Sequence, residues 1–179
     1  MAPPARRALV ITVSDRASAG MYADKGGPLI TDALHALGFE ADGPIVVPDG
    51  APVEVALRSG LEAGYDVVIT TGGTGLGPRD HTPQMTALVL DYEVPGIAEA
   101  IRAAGLVAVP TAVLGRGLAG VAGRTLIVNL PGSTSAVRDG MAVLAPILQH
   151  AVEQLAGSSH GDHGDHDGGP GIHDTNDHG

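Results

Sequence analysis

The chain has 179 residues, a usual size for one compact domain, and its 44% hydrophobic content is enough for a core. It holds no cysteine, which excludes disulfide frameworks, thiolate nucleophiles and cysteine-based zinc sites. The net charge is −10, but five of the aspartates fall within residues 160–179, where there is no Lys or Arg, and no basic patch interleaved with aromatics points to nucleic acid.

The stretch MAPPARRALVITVSDR carries an Arg pair and only a short apolar run. It reads as a first strand over 8–14, not as a signal peptide or a membrane span, so a cytoplasmic protein is expected. Leu29, Ile30, Ala33, Leu34 and Leu37 recur at helical spacing, which predicts a helix over 26–38 stopped by Gly38. PIVVPD, 44–49, reads as a second strand. A helix over 52–64 opens with Pro52 and closes at Gly64. DVVITT, 66–71, reads as a third strand, and Thr82 is suited to cap a helix whose first residue is Pro83. Further patterns predict a helix over 96–105, a strand over 125–131 and a long C-terminal helix bent at Pro146.

Strands alternate with helices, and the strands look apolar on both faces. The expectation is an α/β fold, with a mostly parallel central sheet between helical layers. In such sheets ligands bind beyond the carboxyl ends of the strands. That directs attention to Ser14-Asp15-Arg16, Asp49, Gly72 to Asp80 and Asn129 to Ser133. From about Gly157 the composition shifts to Gly, His and Asp, and residues 157–179 are expected to be a disordered tail. Within it His160, His163 and His166 recur every three residues, interleaved with Asp162 and Asp165. They either hold a divalent ion such as Zn²⁺, Ni²⁺ or Cu²⁺, with His173 or His178 as a further ligand, or are incidental in a solubilising tail.

Gly72, Gly73, Gly75 and Gly77 follow the third apolar strand. Without Cβ atoms their N–H groups can approach an anion closely, so the cluster points to phosphate more than to a plain turn. The spacing matches neither a P-loop nor a dinucleotide fingerprint. A carboxylate beside such a loop, Asp80, is repelled by phosphate unless a cation lies between them; otherwise it pairs with Arg79 or helps to start the next helix. Asp49, at the end of another strand, strengthens the Mg²⁺ reading, with a turn carboxylate as the alternative. Arg16 reads either as a phosphate clamp or as an ion-pair partner of Asp15. Ser133 can cap the last helix, whose N-terminus can hold an anion or a purine edge.

The segments SDRASAGMYADKGG, TTGGTGLGPRDHTP, EVPGIAEAIR and LIVNLPGS resemble, in this order, the motif set of the molybdopterin adenylyltransferases, the MogA/MoaB-type proteins of molybdenum cofactor biosynthesis. They are similar to the corresponding domain of gephyrin as well. The resemblance covers roughly residues 6–156. It implies a three-layer αβα domain, assembled as a homotrimer. It also implies Mg²⁺-dependent transfer of AMP from ATP to molybdopterin, with release of pyrophosphate. Asp49 and Asp80 match the family's essential carboxylates, as metal-holding catalytic residues. Ser14, Asp15, Arg16, Gly72, Gly73, Thr74, Gly75 and Thr82 fall in the pterin and phosphate region. Asn129, Leu130, Pro131, Gly132 and Ser133 fall on the adenylate side. A separate molybdate-insertion protein is the implied acceptor of the product. Gly115 stands where many relatives carry Ser. A non-catalytic pterin carrier and a nucleotide pyrophosphatase on the same scaffold are the alternatives. The intact aspartates oppose the first, and EVPG, Glu93 to Gly96, with the SDRA start opposes the second.

Overall fold

A computed structural model of the chain describes residues 5–157. The histidines His160, His163 and His166, with His173, His178 and the tail expected around them, lie outside the described residues. Six strands form one mixed sheet. They are β1 (Arg7–Val13), β2 (Glu40–Val47), β3 (Val67–Thr71), β4 (Tyr92–Glu93), β5 (Ala119–Ala122) and β6 (Thr125–Leu130), in spatial order β2-β1-β3-β6-β5-β4. β2, β1, β3 and β6 run parallel; β5 is antiparallel to β6, and β4 to β5.

The helices are α1 (Asp15–Ser18), α2 (Gly26–Ala36), α3 (Ala51–Glu62), α4 (Thr82–Ala87), α5 (Pro95–Leu106), α6 (Thr134–Leu144) and α7 (Leu148–Leu155), with a 3-10 turn at Pro110–Leu114. Alternating strand residues point to opposite faces of a sheet. Accordingly Val10, Ile69 and Val128 pack with Ile30, Ile101, Val137 and Leu144 of α2, α5 and α6 on one side. Ile11, Val68 and Ile127 pack with Val53 and Leu57 of α3 on the other. Fully burying one such aliphatic side chain stabilises by about 1.5–3 kcal/mol. With so few aromatics, the core reaches its stability through the number of such side chains. Among the described residues no helix is long and apolar enough to cross a membrane.

Several elements differ from the sequence reading. β2 begins at Glu40, not at 44, because Gly43-Pro44, which reads as a turn, sits in a bulge of the β1–β2 ladder between the Leu9 and Ile11 registers. It is an edge strand, half exposed rather than apolar on both faces. The expected single C-terminal helix is two, α6 and α7, since Pro146 lacks the N–H that would continue α6 and the chain turns over residues 145–147. β5, with the sequence AGVA, and the two-residue β4 carry too little apolar alternation to be read as strands.

Candidate functional site

The carboxyl ends of β1, β2, β3 and β6 meet at one end of the sheet, where four loops converge. After β1, Ser14 caps α1 by accepting the Ala17 N–H at 3.1 Å. Asp15 turns towards the loop after β2: its Oδ1 accepts the Asp49 N–H at 2.9 Å. Its Oδ2 lies 3.6 Å from Arg79 Nη1. Arg79 is 80% exposed, so this ion pair contributes little. Asp15 is thus paired with Arg79, and Arg16 stands exposed at the mouth of the site.

After β3 the backbone turns through Gly72 (φ +96°) and Gly73 (φ +66°), a region where a Cβ is strained. Space demands glycine too. A Cβ at Gly72 would overlap the Val13 carbonyl oxygen, and one at Gly73 would overlap Asp49 Oδ2 and Thr82 Oγ1. Asp49 and Thr82 are therefore packed directly against the loop. The N–H groups of Gly73, Thr74 and Gly75 have no hydrogen-bond partner among the described residues. Three successive N–H groups at such a bend form a concavity suited to an anion.

Thr82 does not cap α4. The helix starts at Thr82 itself after His81, with no side-chain cap; the Thr82 hydroxyl donates to the Gly72 carbonyl at 2.9 Å, and its N–H to Gly73 O at 3.1 Å. The residue ties the helix to the loop.

The two carboxylates are held similarly. Asp49 Oδ1 accepts from the N–H groups of Gly50 (2.6 Å) and His81 (2.9 Å). Asp80 Oδ2 accepts the Gly77 N–H at 3.0 Å. Asp49 Oδ2 and Asp80 Oδ1 have no hydrogen-bond partner among the described residues, and neither side chain is in an ion pair. Both line a cleft of about 230 Å³, together with Ser14, Asp15, Arg16 and Gly73. No group of three His, Asp or Glu among the described residues can hold a metal on its own. Two carboxylates lining one cleft beside this run of N–H groups instead fit Mg²⁺, which takes one or two carboxylates and completes its shell with phosphate oxygens and water.

Two larger clefts flank this centre. One, of about 540 Å³, opens between the glycine loop, α5, the 3-10 turn and the start of α6; Leu76, Arg102, Val109, Leu114 and Ser135 are among its walls. The other, of about 450 Å³, is more polar and includes Ser14, Tyr22, Asp24, Lys25 and Thr71. Gly132 and Ser133 border both. Ser133 caps α6 by accepting the Ala136 N–H at 3.3 Å, and Pro131 lends its carbonyl to the Thr71 hydroxyl at 2.8 Å.

Not every residue of the Asn129–Ser133 turn faces ligand space with its side chain. Leu130 is fully buried in the core. Asn129 is 3% exposed, and its amide donates to Thr70 Oγ1 and Thr86 Oγ1 at 2.9 and 3.0 Å and accepts the Leu118 N–H at 3.0 Å. That side chain fastens β6 to β3 and α4 beneath the cleft. Sequence reasoning missed Tyr22, Asp24 and Lys25, although they lie within SDRASAGMYADKGG. It also missed Arg116, whose guanidinium binds two carbonyls of the glycine loop.

Residues 9–150 match the family model described as "Probable molybdopterin binding domain". A molybdenum cofactor biosynthesis bifunctional protein of Synechococcus elongatus is 39% identical over 155 residues, covering 86% of this chain and 49% of that protein. The chain spans about half the length of the bifunctional curated relatives that it matches. A molybdopterin adenylyltransferase of Helicobacter pylori is 36% identical over 155 residues, covering 83% of this chain and 87% of its own length. The solved structure of the molybdopterin biosynthesis Mog protein from Mycobacterium ulcerans superposes with a TM-score of 0.83 at 52% identity, covering 87% of this chain and 99% of that one.

Proposed function

The chain belongs to the molybdopterin-binding domain family over residues 9–150, and on that premise we propose that it is a molybdopterin adenylyltransferase, using ATP and releasing pyrophosphate. One observation carries this reading. Two carboxylates, each with an oxygen free among the described residues, face a small cleft between two larger ones, beside three N–H groups that have no partner there either. Such an arrangement suits two phosphate-bearing ligands brought together at one point.

No protein nucleophile is required. An oxygen of the pterin's terminal phosphate forms the new bond to the α-phosphorus of ATP, the bond from that phosphorus to the bridging oxygen of the β-phosphate breaks, and pyrophosphate leaves with the electron pair. The N–H groups of Gly73, Thr74 and Gly75 bind phosphate oxygens and orient them. Asp49 and Asp80 would hold Mg²⁺, which when bound offsets phosphate charge. Ser14, Asp15 and Arg16 border the phosphate region, the fully buried Thr82 holds the glycine loop from behind, and Gly132-Ser133 supports the junction between the two ligands. Asn129 acts as a wall, since its amide is already bonded.

The reading includes a cytoplasmic location, where ATP is available, and a molybdate-insertion protein that takes the product. It includes a homotrimer as well. Exposed Leu106, Val107, Val109, Val113 and Leu114 support burial of apolar surface between subunits. Incubation with molybdopterin, ATP and Mg²⁺ tests the activity, and adenylylated pterin with equimolar pyrophosphate is expected. Bound but unmodified pterin would make the chain a carrier, and pterin-independent ATP cleavage would make it a pyrophosphatase.

A further inference from the structure

Arg116 lies just beyond the 3-10 turn and before β5. Its Nε–H donates to Gly75 O at 2.8 Å and its Nη2–H to the Asp80 carbonyl at 2.7 Å. Its own backbone N–H donates to Thr74 O at 2.9 Å. One residue thus grips the glycine loop at its entry, Thr74 and Gly75, and at its exit, Asp80. No carboxylate pairs with the guanidinium among the described residues, and Arg116 is absent from the walls of the clefts around the site. Among the described residues its guanidinium thus serves backbone carbonyls rather than an ion pair.

We propose that Arg116 is a positioning residue. By bridging the Gly75 and Asp80 carbonyls it closes the loop 74–80 and aims the Asp80 carboxylate into the cleft that it shares with Asp49. The inference rests on the proposed function for its catalytic meaning, and on the geometry alone for its effect on the loop. The chemistry favours arginine. Two carbonyls on different limbs of a loop need two donors at a fixed angle, which a planar guanidinium supplies and a lysine ammonium on a flexible stem does not. With the loop closed, Gly77 N–H reaches Asp80 Oδ2 and Asp80 N–H reaches Gly77 O, both at 3.0 Å. These bonds fix the carboxylate rotamer and leave Oδ1 free. Without the bridge they become the weakest link in the loop, and Asp80 loses its fixed direction.

The test uses the full chain with Arg116→Lys and Arg116→Gln beside the parent. Both variants should raise the Mg²⁺ concentration for half-maximal adenylylation by roughly 10- to 100-fold, the usual effect of losing a group that orients a metal ligand. The KM for molybdopterin should stay within about threefold, because Gly73 and Thr74 remain held by the backbone N–H groups of Thr82 and Arg116, which neither variant removes. In ligand-free protein, amide exchange at Gly77, Asp80 and Thr82 should quicken by about tenfold or more, while Val68, Ile69 and Ile127 keep their protection. Parent-like Mg²⁺ dependence and exchange in both variants would overturn the proposal. So would loss of protection throughout β3 and β6, which would make Arg116 a general fold determinant. Full rescue by lysine but not glutamine would show that charge, not the two-carbonyl bridge, is what matters, and would overturn it as well. If the parent forms no adenylylated pterin, the functional reading fails, and the exchange data alone decide whether Arg116 closes the loop.

Discussion

The cleft at the amino end of the sheet is comparable in size to the two that flank the carboxylates at its carboxyl end, and opposite in chemical character. At the amino end of the strands a cleft of about 510 Å³ lies among Gly64, Tyr65, Asp66, Gly123, Arg124 and Thr125. Charged groups there satisfy one another or the backbone. Arg7 lies 3.5 Å from Asp42 and stacks 4.3 Å over the Tyr65 ring. Tyr65 donates its hydroxyl to Asp42 at 2.6 Å, and Asp66 accepts the Arg7 N–H at 2.7 Å. Arg124 donates to the carbonyls of Leu155 and Ala156 at the end of α7. At the carboxyl end, among the described residues, Asp49 and Asp80 have no cation partner, each keeps an oxygen free, and three N–H groups in a row are unpaired. Cavity volume does not separate these ends. Uncompensated, convergent polar groups do, because they are the ones still open to pairing with a ligand.

Substitutions at the carboxyl end should therefore abolish activity without unfolding the chain. Asp80→Asn or Asp49→Asn should lower the adenylylation rate by roughly 100-fold or more. The thermal midpoint should stay within about 4 °C of the parent, since each amide still accepts the N–H bonds that hold the side chain. A variant with near-parent turnover would erase the distinction between the two ends. Gly73→Val should combine both losses. The strained φ and the overlap with Asp49 and Thr82 should cost about 1–3 kcal/mol in denaturant titration. Fluorescence titration should show pterin binding lost; unchanged affinity would remove the anion role of the loop.

At the amino end the pattern should invert. Arg124→Ala should lower stability by about 1 kcal/mol or less and leave turnover at the parent rate. The Asp42 hydrogen bond, and then burial, raise the Tyr65 phenol above its ordinary 10.0. Stability from that bond is fully present below pH 10.0 and is lost as pH rises through the raised value. Tyr65→Phe should then lower stability slightly at neutral pH and remove this alkaline decline, with activity at neutral pH unchanged. The smallest effect is expected at Gly115, whose backbone is ordinary (φ −65°) and where a Cβ would stand 3.2 Å from Ala112 O. Gly115→Ser adds a hydroxyl to the wall of the larger cleft and should change the KM for either substrate by no more than about threefold.

Much of this contrast can be read in the sequence, for identifiable reasons. β1, β3 and β6 are apolar runs because both of their faces are covered, and the residues that follow them are the polar ends of those runs. Asp49 and Asp80 stand out for that reason. β2 was misplaced because an edge strand tolerates a bulge at Gly43-Pro44, and β5 was missed because small residues suffice where a strand packs closely. Arg116 escaped notice because it acts on backbone carbonyls, on Asp80 at a separation of 36 residues, and carbonyls have no signature in composition or spacing. Asn129 stood out as a polar residue ending an apolar strand, yet its amide serves three hydrogen bonds inside the domain.

The central claim is that the carboxyl end of the sheet joins a nucleotide to a pterin phosphate. The most direct measurement follows ATP labelled at the α-phosphate, with molybdopterin and Mg²⁺, in the parent chain and in Asp80→Asn. The account predicts label in the pterin product for the parent and none above background for the variant. Label recovered as free AMP at a rate independent of pterin, or equal transfer by parent and variant, would contradict it.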